Sequence, residues 1–421
     1  MSSQAIHVDL DGLTPDQQVD RLKVQYHQLR GKHAVVRGRF DGLPVRQYIS
    51  MLERGYRVML ERVNNSFSLV LYPDGSTPRS GLRGAHSVVS HSDGRVYTNT
   101  TNNRVAVIDG ASRKMLKHIG VGDDPSHLEL SHDGRRLYVA DSGSNDVTII
   151  DTANDQVIAT VSTGRRPLLP CVAPDGNAVD LPSGPDQSVT VVDRDGERRA
   201  TIPVGLAPHD VAVSPDGRWA YQPNSASHTV TVIDAHDFSI VGEVKVGQGP
   251  GHVAFDPESR LAYVANTVSN DVTVISTANH EATATIPAGL GAHLPAISAD
   301  GRYGYVANFA SDGLTVFNCR NHEVVGTIPV GIYPHFFALS PDGKWVVVSN
   351  TGESSICLID VQENALRARL DVGRAPAHLG FSPDYECAFV GCESSDEVAV
   401  IDLRRQMVIE MISAGGATHL Q

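Results

Sequence analysis

Residues 205–217, Gly205-Leu206-Ala207-Pro208-His209 through Ser214-Pro215-Asp216-Gly217, return in near copy about every 40 residues from Arg83 to the C-terminus. Each copy carries a glycine, usually a proline, a histidine, a short apolar strand and a polar turn. A unit of that length cannot bury an apolar face alone, so its copies must pack side by side. Four short strands per unit point to the blades of a β-propeller. Fourth strands end at Gly122, Gly164, Gly205, Gly247, Gly289, Gly331, Gly373 and Gly415, which predicts eight blades. A seven-bladed ring with one irregular unit stays open, because residues 178–182 (AVDLP) depart from the usual Tyr-Val-Ala-Asn strand ending.

Residues 1–75 lack the repeat. Alternation over 5–10 and 33–37 reads as strands, and so do 56–63 and 67–72, joined by Asn64-Asn65. Thr14-Pro15 opens a helical stripe through Val19, Leu22, Tyr26 and Leu29, and Gly55 closes a second helix through Tyr48, Ile49 and Leu52. The expected organisation is a small α+β domain of order βαβαββ at 1–75, a linker at 76–82, and the β-propeller at 83–421. The element order together with Gly12-Leu13 resembles the sulfur-carrier superfamily of TusA/SirA-like domains. Thr14 stands where that family keeps its persulfide cysteine, and a hydroxyl cannot carry a persulfide. The resemblance therefore implies docking of a protein partner, or regulation, rather than sulfur transfer.

The formal net charge of −13 argues against nucleic acid or an anionic membrane as partner. The five cysteines show no zinc or redox spacing and read as buried free thiols. No basic segment followed by an apolar run opens the chain, and no apolar stretch is long enough to span a bilayer, so the expected location is cytoplasmic.

Tyr138-Val139-Ala140, Tyr263-Val264-Ala265-Asn266, Tyr305-Val306-Ala307-Asn308 and the recurrent Val-Ile-Asp resemble the YVTN-type β-propeller repeat family. That resemblance implies the fold and leaves the function open, since such propellers include enzymes, binding modules and scaffolds.

The histidines are the part that blade packing does not demand. Aligned on the loop proline, His86, His127, His209, His252, His293, His335 and His378 fall in one column, and His419 closes the series. The third copy has Leu168-Leu169 instead, which predicts an asymmetric site open on that blade's side. Loops that enter the innermost strands converge on the propeller axis, so these imidazoles form a ring. Duplication alone can copy a residue through repeats, but the column has survived while its neighbours drifted, and neutral imidazole is the commonest ligand of transition metals. All eight are candidate metal ligands. His209, His335 and Asp141 are candidate catalytic residues, Asp141 because it breaks the strand-end series Asn224, Asn266, Asn308 and Asn350.

By position, the ring resembles the histidine crown of copper propellers such as nitrous oxide reductase. It also resembles the haem-containing dissimilatory nitrite reductases, whose distal histidines lie in loops like Pro208-His209-Asp210. These resemblances imply copper or iron, haem-type iron included, ahead of zinc. The chain lacks the paired His-His runs of the copper reductases. The expected function is a metal-dependent enzyme, an oxidoreductase acting on a small molecule at the channel mouth. The alternatives are a metal-assisted lyase or lactonase and a non-catalytic scaffold. No nucleophile elbow, phosphate loop, dinucleotide fingerprint or HExxH occurs.

Overall fold

The computed structural model describes residues 84–415 throughout and, ahead of them, four strands: β1 (Ile6–Asp9), β2 (Ala34–Gly38), β3 (Tyr56–Val63) and β4 (Ser66–Pro73). The chain divides into two compact units, Met1–Gly81 and Leu82–Gln421. In the first, the sheet order is β1-β2-β4-β3, with β1 parallel to β2 and the other pairs antiparallel. The segments expected to be helical, and the Gly12-Leu13 motif, lie outside the described residues.

The second unit is an eight-bladed β-propeller. Each blade is a sheet of four consecutive antiparallel strands. The first strands of blades one to eight are Val88–Ser90, Pro125–Leu130, Cys171–Val172, Ala212–Val213, Pro250–Phe255, Ala292–Ile297, Pro334–Leu339 and Pro376–Phe381. They contact one another from blade to blade and so line the axis. The seven-bladed alternative is excluded. Residues 178–182 fall within a regular strand, Ala178–Ser183, paired to both Cys171–Val172 and Ser188–Asp193.

Burial explains the composition of each strand. A blade is covered on both faces, so its second and third strands are apolar almost throughout. In blade five, Leu261–Asn266 and Asp271–Ser276 are buried at every central position. The fourth strands form the outer rim and are largely exposed. Tyr97, Tyr138, Tyr221, Tyr263 and Tyr305, third residues of their second strands, are fully buried. Several reach a polar partner about 60 residues on, as Tyr97 Oη does by donating to Asp155 Oδ1 at 2.7 Å and Tyr305 Oη to Asn364 Oδ1 at 2.7 Å.

Among the described residues, blade eight meets blade one without sharing a strand. Phe389, Val398, Val400, Ile412 and Ala414 pack on Ala85, Val88, Val96, Ala106 and Ile108 across this seam. The His378 N–H donates to His86 O at 3.0 Å, and His118 Nε2 lies 2.7 Å from Ala414 O.

Candidate functional site

The loop into each inner strand is built the same way. Positive φ recurs in blades two to eight immediately ahead of Pro125, Pro167, Pro208, Pro250, Ala292, Pro334 and Pro376, at Asp124, Arg166, Ala207, Gly249, Gly291, Tyr333 and Ala375. That left-handed turn is costly for a bulky side chain such as Tyr333 (φ 55°). It is held by a side chain of the preceding blade, which accepts from the turn's N–H. Asn145 does so for Arg166 (2.9 Å), Asn270 for Gly291 (2.7 Å) and Asp312 for Tyr333 (3.2 Å). The next one or two residues are delivered to the axis, and the histidines stand there.

They occupy two adjacent positions rather than one column. His86, His209, His293 and His335 follow the strand-start proline or alanine directly, whereas His127, His252 and His378 come one residue later. In a regular strand neighbouring residues point to opposite faces. Register shifts at the start of the inner strands of blades two, five, six, seven and eight break that alternation. Both positions can then face the channel.

Seven histidines converge there in two arcs. His86, His127 and His378 lie with ring centroids 5.0–5.1 Å apart, and their ligand atoms all fall within 4.8 Å of one another. His86 Nε2 and His127 Nε2 are 3.3 Å apart. The second arc runs His209–His252 (4.9 Å), His252–His293 (4.6 Å) and His293–His335 (5.1 Å). Between His127 and His209 stands blade three with Leu168 and Leu169. His419 lies outside the described residues.

Two carboxylates reach the ring. Glu393 Oε2 is 3.2 Å from His86 Nδ1, and Asp210 Oδ2 is 2.9 Å from His252 Nδ1. Aromatic rings flank it. Phe336 stacks on His378 at 4.0 Å, and Tyr333 lies parallel to His335 at 5.9 Å. Burial, reinforced by the neighbouring imidazoles, pushes His209 down to about 4 and His335 to about 3, and holds His293 and His378 well below the usual imidazole range. These four are neutral at pH 7, the form that ligates metal.

Asp141 is not brought to the ring. It ends the second strand of blade two, where its carboxylate accepts from Thr148 Oγ1 at 2.6 Å. Asn266 and Asn308 do the equivalent work by donating to Thr273 and Thr315. Burial raises Asp141 to about 7, so it is a strand-end residue carrying an acid in place of an amide.

Sequence reasoning missed a group of acids on blades two to four. Glu129 on the first strand of blade two is pushed up to about 8 by burial and by Asp210. Asp180 is raised to about 7 by burial. The Cys171 thiol, paired with Asp180 across the sheet, is raised by burial and then by Asp180, Asp210 and Glu129. Asp180 occupies the column of Tyr97, Tyr138 and Tyr263, so the sequence signal was a carboxylate where other blades bury an aromatic ring. All five cysteines are free.

The protein is thus an eight-bladed repeat propeller that gathers seven histidines around its axis. Residues 85–367 and again 332–414 match the family described as Lactonase, 7-bladed beta-propeller, and the chain belongs to that family. The overlap reflects the extra blade: the first stretch ends within the fourth strand of blade seven, and the second restarts before that blade and runs through blade eight. Among curated proteins, 126 residues are 29% identical to Antigen Lp49 of Leptospira interrogans, covering 26% of this chain and 28% of that protein. The chain thus matches little more than a quarter of that relative's length.

Among solved structures, the chain is similar to the dihydro-heme d1 dehydrogenase NirN in complex with DHE. The TM-score is 0.66 and the identity 20%, over 81% of this chain and 76% of that one. It is also similar to the hydrazine synthase of Kuenenia stuttgartiensis, with TM-score 0.57 and 18% identity over 79% and 99%. A functionally unknown protein from Desulfotomaculum acetoxidans gives TM-score 0.55 and 16% identity over 69% and 98%. These likenesses are of fold.

Proposed function

We propose that the protein is a metal-dependent oxidoreductase that holds copper or iron at the histidine-lined channel mouth and acts there on a small molecule. The observation that carries this reading is the His86, His127 and His378 triad. Three imidazoles bound at 2.0–2.1 Å in a tetrahedral site have nitrogens about 3.3 Å apart. The separation of His86 Nε2 and His127 Nε2 is 3.3 Å, and His378 closes the set within 4.8 Å. Of the eight expected ligands, these three would hold the ion. Three protein ligands leave a coordination position open, and a bound redox metal would supply electron transfer or polarisation of the substrate there.

The second arc supplies the surroundings. His209 and His335, proposed as catalytic, are too weakly basic to hold a proton at rest, so they orient a substrate through neutral imidazole. The Asp210 carboxylate 2.9 Å from Nδ1 orients the His252 ring, with Nε2 left toward the substrate. Haem-type iron is supported by the neighbour solved with DHE.

A second reading, metal-assisted lactone hydrolysis at the same triad, is favoured by the family's description. Metal content and the visible spectrum of purified protein, before and after addition of Cu(II), Fe(II) or Zn(II), test both. About one equivalent of copper or iron, lost in His127→Ala and kept in His293→Ala, is the expected result. Colourless protein that hydrolyses lactones with Zn(II) favours the second reading. Failure to bind any of the three ions overturns both.

A further inference from the structure

Resting on the triad as a metal centre, we infer that Glu393 is its positioning residue, fixing the tautomer of His86 so that the Nε2 lone pair faces the ion. Glu393 follows the second strand of blade eight, Cys387–Cys392. The equivalent residue is a serine or threonine in most other blades, and in blades two, four and seven its hydroxyl donates to the carbonyl of the next blade's loop proline. Ser142 does so to Pro167 O (2.8 Å), Ser225 to Pro250 O (2.6 Å) and Thr351 to Pro376 O (2.7 Å). Among these eight positions only blade eight carries a carboxylate, and its side chain reaches the histidine of the next blade instead of the carbonyl.

A carboxylate accepts and does not donate, so the 3.2 Å contact requires His86 to donate from Nδ1. A neutral imidazole has one proton, so Nε2 is then the acceptor, and Nε2 is the atom 3.3 Å from His127 Nε2. The opposite tautomer would put an N–H into the triad and block it. The brace is itself held on both sides: Gly84 N–H donates to Glu393 O, and Glu393 N–H donates to Ala375 O, each at 3.0 Å. Asp210 and His252 repeat the arrangement in the other arc, again through Nδ1. Carboxylate partners of this kind raise ligand basicity, and their loss costs 10- to 100-fold in metal affinity.

The test pairs two measurements on the full chain. Chelator competition gives the Cu(II) affinity of wild type, Glu393→Ala, Glu393→Gln and the rim variant Glu410→Gln. Imidazole nitrogen NMR of the metal-free proteins gives the His86 tautomer. The expected result is a 10- to 100-fold loss in Glu393→Ala, with the Nδ1–H tautomer of His86 no longer dominant. Glu393→Gln, whose amide oxygen still accepts from Nδ1, should keep that tautomer and lose less, and Glu410→Gln should match wild type. Wild type that takes up none of Cu(II), Fe(II) or Zn(II) defeats the metal reading, while the NMR arm still reports on the tautomer. Unchanged affinity and tautomer in Glu393→Ala, with wild type binding normally, overturns the role of Glu393 alone. So does a Glu393→Gln variant as weak as Glu393→Ala.

Discussion

Asp180 offers the sharpest test of how the channel wall is built. The residue is 9% exposed and lies at the position where five other blades bury a tyrosine. Burial lifts it from the ordinary 3.8 to about 7 in the folded chain. The folded state therefore keeps a proton that the unfolded chain has already lost, and stability falls as pH rises from about 4 to about 7. About three pH units at roughly 1.4 kcal/mol each come to about 4 kcal/mol, fully imposed above pH 7. Asp180→Asn cannot ionise and has nearly the same shape. Urea unfolding of both proteins at intervals from pH 4.5 to pH 8 reads the difference directly. The two should be similarly stable at the acid end, with the variant ahead by several kcal/mol at the alkaline end. Glu129 titrates in both proteins and cancels from the comparison. Parallel stability curves across this range would refute the claim that Asp180 is held protonated by its surroundings.

The ring histidines give the opposite sign. His335 stays neutral in the fold down to about 3, whereas the unfolded chain takes up its proton near pH 6.5. His335→Gln should therefore gain on wild type by roughly 1.4 kcal/mol per pH unit between pH 6 and pH 4 in denaturant titrations, and a constant offset would count against it. Asn99 accepts from the N–H groups of His86 (3.2 Å) and Ser87 (2.8 Å) and donates to Pro125 O (2.8 Å), tying blade one to blade two beside the triad. Asn99→Ala should cost about 2–3 kcal/mol in chemical unfolding by leaving buried groups unpaired. A methyl group at Gly391 would collide with Ala85 O across the seam, while one at Gly242 meets open space. Gly391→Ala should lower stability by about 1–3 kcal/mol, with Gly242→Ala close to the modest effect of any strand glycine.

Blade number was legible because a glycine stands two residues beyond the end of each fourth strand, a covalent landmark that survives drift in the rest of the unit. The third copy looked degraded for a local reason. Asp180 and Pro182 replace residues that usually mark the second strand, yet backbone pairing on both sides still forms it. The convergence of the histidines followed from repetition, but their two positions did not. Alignment on the loop proline absorbs a one-residue offset that only the register shifts reconcile. Side-chain direction at Asp141 is not written in the sequence: a strand-end carboxylate that accepts from Thr148 looks there like one aimed at the axis. Glu393 was invisible for the same reason, since its partner lies 307 residues away and the pairing depends on blade eight coming round to blade one.

That seam has a consequence for how such rings change size. Since no strand is borrowed between the first and last blades among the described residues, every blade there is an uninterrupted cassette of chain with its own loop, turn and outer edge. Gaining or losing one is a single contiguous insertion or deletion, with no need to rethread a terminus through a neighbour's sheet. A family described by seven blades can thus contain an eight-bladed member without a change in topology. What shifts is the circumference of the axis, and with it the number of side chains that can stand around whatever the ring encloses.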